Sequence, residues 1–485
     1  MSHGRGRRSL RQSIDWPLVI CYLLLVIIGW LNIYAASHAS EAAGILDFAT
    51  RSGKQFVWIL SGVFLAIVIL FVFNPRLWEV IAFPSYLIVF LLLVAVIFVG
   101  AEIKGSHSWF SLGPVSFQPA EVSKITTALL LSAIMSRQGF NLGNKKDLIL
   151  AAAIVLVPML TIVAEKETGS ALVYVGFLFV FYREGLSGWF LVAAALAIAI
   201  FIITLTVSPF ASLLMLLVVV SLCFSANTGN IKRWILRDLP LLVLLAFLPR
   251  IWAAAGGEEP SGLWARLQPS HVLLMLIAIT TLWYSIRGYK AKSLPHWVAV
   301  FTLLAGMAMT YSTEFIFNDI LQDHQRKRIE VLLGLMEDPS GVGYNVHQSM
   351  IAIGSGGFVG KGFLQGTQTT YGFVPEQSTD FIFCTVGEEW GFIGCLFVIL
   401  IYAFMIARII LDAEECRDRF TRIYGYCVAS IIFMHLFINV GMTIGLMPVI
   451  GIPLPLLSYG GSSLWAFTIL IFIFLALYKD ESKYF

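Results

Sequence analysis

Long apolar runs recur along almost the whole chain, and they constrain its fold more than any other feature. Fourteen runs are long enough to cross, or nearly cross, a hydrocarbon core of about 30 Å. Charged residues make up only 13% of the chain, about half the share expected of a soluble domain. The sequence therefore predicts an all-α polytopic integral membrane protein with about fourteen transmembrane helices. The predicted spans are 16–36, 55–73, 78–99, 119–136, 147–164, 168–182, 187–207, 209–226, 239–254, 271–286, 296–316, 380–408, 422–446 and 462–478.

Basic residues mark one set of loops and predict which side of the membrane each loop occupies. The N-terminal segment 1–15 is basic, and no small-residue cleavage site follows its apolar run, so we expect a retained first span. If this segment is cytoplasmic, lysines and arginines alternate with poorer outside loops through all fourteen spans. Both termini are then cytoplasmic, and the loops 101–119 and 318–379 are outside. The net charge of +3 gives no indication of a nucleic-acid partner, and the six cysteines form no CxxC pair that would suggest a zinc site.

Three carboxylates lie where the polar stretch that begins at Gly372 enters an apolar run: Asp380, Glu388 and Glu389. Acids inside a span cost roughly 2.5–3.5 kcal/mol each at the helix centre and normally face a cavity, a partner or a substrate. At about 100° per residue, Glu388 lies about 80° round the helix from Asp380, so these two can border one cavity, whereas Glu389 points about 180° away from Asp380. The alternative is structural: Asp380 caps the helix, and the two glutamates hold helices together.

The outside loop 318–379 has about sixty residues, a length that is usually functional or disordered. Its second half mixes glycines with isoleucine, methionine and phenylalanine, which favours a folded, partly re-entrant segment over a disordered linker. A basic cluster contains Arg326 and Arg328. These arginines either form a solvated surface or meet an anionic substrate.

Three further segments carry polar residues into the outer side of the predicted bundle. In the first, Trp109 is followed by Glu121 and Lys124, which are spaced to pair on one helix face. Glu121 and Lys124 either neutralise each other's charge or form part of a site. Trp109 is either an interfacial aromatic anchor or a site residue. The segment 165–169 is a short polar turn, and 445–463 contains three prolines and a Gly pair that forbid a regular helix. Together these segments predict an outward-facing site.

The same segments resemble the SEDS family (shape, elongation, division and sporulation). The matching stretches are long and ordered: SWFSLGPVSFQPAEVSK, EKETGSALVY, QRKRIEVLL, GYNVHQSMIAIGSGGFVGKGFLQGTQ, FVPEQSTDFIFCTVGEEWGFIG and GLMPVIGIPLPLLSYGGSS. The run GKGFLQGTQ followed by FVPEQSTDFIF is more similar to the elongation branch than to the division branch.

The resemblance implies a peptidoglycan glycosyltransferase that polymerises lipid II on the outer face of the cytoplasmic membrane during elongation and rod-shape maintenance. It also implies a class B penicillin-binding protein as partner, which crosslinks the stem peptides. By motif, Asp380 is the catalytic acid. The substrate-binding candidates are Trp109, Glu121, Lys124, Arg326, Arg328, Glu388 and Ser458. Positive charge must stabilise the departing diphosphate, and a divalent cation (Mg²⁺ or Mn²⁺) is an additional source; without a DxD-type cluster we expect no tightly bound metal.

Two features depart from the family pattern. Where the family usually has a Gln-Pro-Asp-Leu-Gly turn, this chain has 165–169 as EKETG, so the acid persists as Glu167 and the proline is absent. The family core has about ten spans, so we expect inserted helices at 187–295 between core halves at 16–186 and 296–485. Two other functions remain open: a transporter that flips lipid II, and a non-enzymatic scaffold for the penicillin-binding protein. Against the transporter, the acids gather at one side rather than at the midplane.

Overall fold

The computed structural model describes residues 14–41, 44–103, 106–112, 115–241, 244, 269–320, 323–333, 335–336 and 343–482, and helices dominate this part of the chain. A 3₁₀ turn covers Tyr174–Gly176, and π-helical turns cover Trp234–Asp238 and Ile316–Ile320. The helices in chain order are α1 (Trp16–Glu41), α2 (Arg51–Phe71), α3 (Arg76–Val99), α4 (Pro119–Met135), α5 (Lys145–Ala164), α6 (Thr168–Val173), α7 (Phe177–Arg183), α8 (Trp189–Thr206), α9 (Pro209–Asn227), α10 (Ile231–Arg233), α11 (Pro269–Ala291), α12 (Leu294–Phe315), α13 (Asp323–Leu332), α14 (Tyr344–Gly356), α15 (Ile382–Glu415), α16 (Arg419–Thr443) and α17 (Gly461–Ser482).

Eleven helices in the described ranges are long and apolar enough to cross a membrane, and each coincides with one predicted span. The predicted span 119–136 corresponds to α4, which has 17 residues. The predicted span 168–182 corresponds to the shorter apolar stretch Thr168–Arg183. The predicted span 239–254 lies mostly outside the described residues. The polytopic all-α class is therefore confirmed.

The loop before α4 contains a small antiparallel sheet that the sequence did not predict. Its strands are β1 (Ala101–Ile103), β2 (Ser106–Leu112) and β3 (Val115–Phe117), in the order β1-β2-β3. Phe110 pairs with Phe117 across β2 and β3. Aromatic and β-branched residues favour such pairs, so the loop has local order that a search for apolar runs does not detect.

The described chain divides into two compact units, residues 1–187 with 338–485, and residues 188–337. In the first unit α16 and α17 form the centre, because 78% of each apolar window is buried, against 22% for α2 and α3. A helix that is apolar all round and exposed on most of its surface suits a lipid environment. In the second unit, helices α8, α9, α11 and α12 share a separate apolar core that includes Ile200, Leu216 and Leu303.

Candidate active site

Asp380 lies in the turn that leads into α15, and the carbonyls of three consecutive residues, 378–380, each accept a hydrogen bond from elsewhere in the fold. The amide of Tyr459 donates to the carbonyl of Ser378 (2.8 Å), and the Ser458 hydroxyl donates to the carbonyl of Thr379 (2.6 Å). The side-chain amide of Asn439 donates to the carbonyl of Asp380 itself (2.8 Å). The side chain of Asp380 is half-buried. The N-cap of α15 is Phe381, so the structure does not support Asp380 as the capping residue.

The carboxylate of Asp380 lies against the proline-rich segment between α16 and α17. A Cβ atom added at Gly451 would stand 3.3 Å from Asp380 Oδ2, and Gly451 has φ +70, a conformation that favours glycine. The opposite side of the same segment packs on Gly169, where an added Cβ would stand 3.1 Å from the carbonyl oxygen of Ile450. Two of the irregular segments predicted from sequence therefore meet here, and Asp380 borders one of them.

Lys124 is buried on α4 and makes the predicted pair with Glu121, at 2.8 Å from Nζ to Oε1. The sequence did not predict its second partner, His435 on α16, whose Nε2 atom is 2.8 Å from Nζ. Because a lysine ammonium only donates, this contact assigns the lone pair to Nε2, and Nδ1–H then donates to the carbonyl of Pro453 (3.2 Å). Lys124 is thus connected through His435 to the segment that borders Asp380.

Glu388 is fully buried and organises the loop that precedes Asp380. Its carboxylate accepts from the backbone N–H groups of residues 367–369, each at 2.8 Å, and pairs with Lys361 at 2.7 Å. The Thr369 hydroxyl also donates to it, at 2.8 Å. These contacts are those of an anchor for the loop; a role for Glu388 in substrate binding stays a prediction.

Glu389 also contacts this loop, a contact that the helical wheel does not predict. Its Oε1 atom accepts from the amide of Leu364 (3.2 Å). The physical reason is that the loop wraps α15 at a kink: Gly391 is non-helical (φ 66, ψ −161), and the amides of Lys361 and Gly362 donate to the carbonyls of Glu388 and Glu389. A helical wheel describes the positions of side chains around a straight helix, and it does not show which loop folds against them.

The remaining predicted residues occupy different surroundings. Trp109 is half-buried in β2, and Ser458 is buried, with its hydroxyl holding the backbone next to Asp380. Arg326 belongs to the second unit and pairs with Glu330 on α13 at 3.2 Å. The side chain of Arg328 lies outside the described residues.

Arg51, at the start of α2, is a site residue that sequence reasoning missed. Its Nη1 atom donates to the hydroxyl of Ser378 (2.8 Å), two residues before Asp380. The side chain is exposed. The only signal in the sequence was one basic residue at the outer end of a predicted span.

The turn between α5 and α6 carries two acids in unlike environments. Glu167 accepts from Gln118 and from Ser170, both at 2.5 Å. Glu165 is 1% exposed, and neither of its carboxylate oxygens has a hydrogen-bond partner among the described residues. Burial, together with the neighbouring charge of Glu167, raises the pKa of Glu165 to about 8.

We looked for a metal site among the side chains of the described residues. Across the described ranges, no group of three or more His, Cys, Asp or Glu side chains is arranged to hold a metal ion.

The fold and this site define a class: a multi-pass helical membrane protein in which irregular segments enclose a buried lysine and a half-buried aspartate. The model of the FtsW/RodA/SpoVE family, described as cell cycle proteins, matches residues 15–214 and 268–483. The chain belongs to this family, which is the SEDS family that its motifs indicate.

Its relatives favour the RodA branch. "Peptidoglycan glycosyltransferase RodA" of Treponema pallidum is 29% identical over 459 residues, which cover 94% of this chain and 95% of that protein. "Peptidoglycan glycosyltransferase MrdB" of Escherichia coli K12 is 28% identical over 455 residues, covering 94% and 90%.

Solved structures agree on the fold. A chain from a peptidoglycan synthase complex aligns with a TM-score of 0.58 at 23% identity, covering 96% of this chain and 98% of that one. The crystal structure of the rod shape determining protein RodA of Thermus thermophilus aligns with a TM-score of 0.53 at 21% identity, covering 96% and 97%.

Proposed function

We propose that this protein is a peptidoglycan glycosyltransferase that polymerises lipid II for cell elongation and rod shape. Relatives with that name match over nearly their whole length. The observation that carries the proposal is Asp380: an acid at the entrance of α15, in a turn whose carbonyls 378–380 are all held by hydrogen bonds, with its half-buried carboxylate beside Gly451. A base in such a position can accept a proton from a bound hydroxyl.

In the reaction the 4-hydroxyl oxygen of one lipid-linked disaccharide bonds to the anomeric carbon of another. The bond from that carbon to the diphosphate oxygen breaks with inversion, and undecaprenyl diphosphate leaves with the electron pair. Asp380 takes the hydroxyl proton. Fixing the Asp380 backbone lowers the cost of aligning this base with its substrate.

The leaving diphosphate needs positive charge. Lys124 supplies a buried ammonium next to the segment that borders Asp380, and Arg51 supplies an exposed guanidinium beside Ser378. Arg326 and Arg328 remain candidates for the same role. A loosely held Mg²⁺ or Mn²⁺ that arrives with the diphosphate is also part of the proposal, since the described residues provide no resident site.

We also propose the orientation and the partner. Lysine and arginine alternation supports cytoplasmic termini and an outward-facing site in the bacterial cytoplasmic membrane. A class B penicillin-binding protein is the proposed partner, because a structural relative comes from a peptidoglycan synthase complex. We propose that the inserted helices lie within 187–295 and contact lipid or a partner; the family model leaves only 215–267 of this range unmatched.

The test uses purified full-length protein and lipid II in detergent. We expect wild-type protein to form glycan chains and Asp380→Asn to lose about 10²–10⁴-fold in rate at normal yield and thermal stability. Glu376→Gln is the matched control, because it removes an exposed carboxylate from the same turn.

Near-normal synthesis by Asp380→Asn would remove Asp380 as the base. A wild-type protein that moves lipid II across vesicle membranes without polymerising it would favour the transporter. Neither activity, with retained binding to the penicillin-binding protein, would favour the scaffold.

A further inference from the structure

Asn439, on α16, joins the two pieces of backbone that define the Asp380 site. Its side-chain Nδ2 atom donates to the carbonyl of Asp380 (2.8 Å) and to the carbonyl of Ile452 (2.7 Å). The residue is 0% exposed. One amide group therefore ties the residue that carries the carboxylate to the segment against which that carboxylate lies.

The second of these contacts matters because Ile452 follows Gly451. The carboxylate oxygen Oδ2 of Asp380 stands 3.3 Å from the position of a Cβ at Gly451. A shift of Ile452 relative to the Asp380 backbone would therefore change the space around the carboxylate directly. Asn439 holds both the backbone of Asp380 and the backbone of Ile452.

The chemistry of the contact explains why an amide is needed. Both partners are carbonyl oxygens, which only accept, so the residue must provide two donors from one atom. An aspartate of the same shape provides none, and leucine fills the space without donating. The Oδ1 atom of Asn439 has no hydrogen-bond partner among the described residues, so the two hydrogen bonds of the side chain to Asp380 and Ile452 are made through its NH₂ group.

A second side chain of α16, one turn before Asn439, contacts Pro453, the next residue of the proline-rich segment. His435 contacts the carbonyl of Pro453 and also contacts Lys124. Positions i and i+4 lie on one helix face. The face of α16 that carries His435 and Asn439 thus sets the 452–453 backbone between the lysine and the aspartate.

We propose that Asn439 is a positioning residue for the glycosyltransfer step: it acts through Asp380, by fixing the carboxylate against Gly451, and does not touch substrate. This inference rests on the proposed function. It predicts an effect on the chemical step and not on substrate affinity.

The experiment compares Asn439→Leu, which removes both donors, with Asn439→Ser, which keeps one hydroxyl donor. Thr443→Val, a buried site one turn further on α16 whose hydroxyl bonds only within its own helix, is the matched control. For each full-length variant, kcat and KM for lipid II, direct lipid II binding, and the fraction of folded protein are measured. We expect Asn439→Leu to lose about 10²-fold in kcat per folded molecule, the loss associated with a misplacement of about 1 Å, with KM and binding within threefold of wild type. Asn439→Ser should be intermediate, and Thr443→Val near wild type.

Several outcomes would overturn the inference. They are an unchanged kcat in folded Asn439→Leu, a rise in KM alone, which would indicate a lost ground-state contact, and an equal loss in Thr443→Val. Failure of both Asn439 variants to fold would make the residue purely structural. An inactive wild-type protein would overturn the proposed function itself, whereas active wild type with unaffected Asn439→Leu would overturn only this inference.

Discussion

Replacing Glu388 with glutamine should loosen the loop before Asp380 far more than its small chemical change suggests. The glutamine keeps the size of the side chain, but only its Oε1 atom can accept. The Nε2 group must then face at least one of the donors that now point at the carboxylate: the amides of residues 367–369, the Thr369 hydroxyl and the ammonium of Lys361.

The magnitude follows from these contacts. Hydrogen bonds to charged groups contribute about 1.5–3 kcal/mol each, and breaking a buried charge pair by removing one partner costs about 3–5 kcal/mol. Glu388 is 0% exposed, so water cannot replace the lost acceptor without opening the loop. We expect Glu388→Gln to destabilise the folded loop by about 3–5 kcal/mol, which is roughly a 10²–10⁴-fold change in its opening equilibrium.

Hydrogen exchange measured by mass spectrometry tests this prediction, because it reports the opening of the loop itself. Peptides that cover residues 365–370 should exchange about 10²–10⁴-fold faster in Glu388→Gln, because exchange reports local opening. Peptides in the central helix α16 should change much less.

Glu389→Gln is the control, since it makes the same change at the adjacent residue. Glu389 is buried too, but it accepts one backbone hydrogen bond at 3.2 Å, and its Oε2 atom has no hydrogen-bond partner among the described residues. A neutral amide there should be tolerated or should stabilise the protein. Exchange within threefold of wild type in Glu388→Gln, or equal acceleration in both variants, would refute the reasoning.

Three further predictions concern other parts of the chain. Lys124→Ala should lower protein yield, because it leaves a buried Glu121 unpaired at a cost of about 3–5 kcal/mol, and adding Glu121→Ala should recover part of the yield. Polymerisation should stay low in both variants, because the ammonium proposed to stabilise the diphosphate is missing; an active, folded double variant would give Lys124 a structural role only. Burial and the charge of Glu167 raise the pKa of Glu165 from 4.5 to about 8. The contribution of this shift to the stability of the folded protein is therefore fully present below about pH 4.5, and it is lost as the pH rises through about 8. The midpoint temperature of thermal unfolding should therefore decrease as the pH is raised from about 6 to about 8.5, and it should decrease less in Glu165→Gln. Equal decreases in the two proteins would contradict this prediction. Lys232→Cys should resist an impermeant thiol reagent in intact cells, and labelling would reject the fourteen-span topology.

The sequence predicted those features of the fold and site that depend on local spacing. Hydrophobic length located the spans, and i, i+3 spacing located the pair of Glu121 and Lys124. It could not predict His435 as the second partner of Lys124, because the two residues are 311 positions apart and only packing brings them together. It also could not predict the contact of Glu389 with the loop before Asp380, because the wrap of that loop around the kink at Gly391 is a tertiary feature.

The proline-rich segment between α16 and α17 explains why polar residues stand in the most buried helices. Backbone at membrane depth must find hydrogen-bond partners within the protein, and prolines remove N–H donors from the segment itself. The carbonyls of Ile452, Pro453 and Pro455 therefore accept from side chains of neighbouring helices, namely Asn439, His435 and Tyr402. Each of these side chains satisfies an oxygen that would otherwise be costly to bury. Because two of them also contact Asp380 or Lys124, the requirement to satisfy the irregular backbone and the requirement to position the site are met by the same residues.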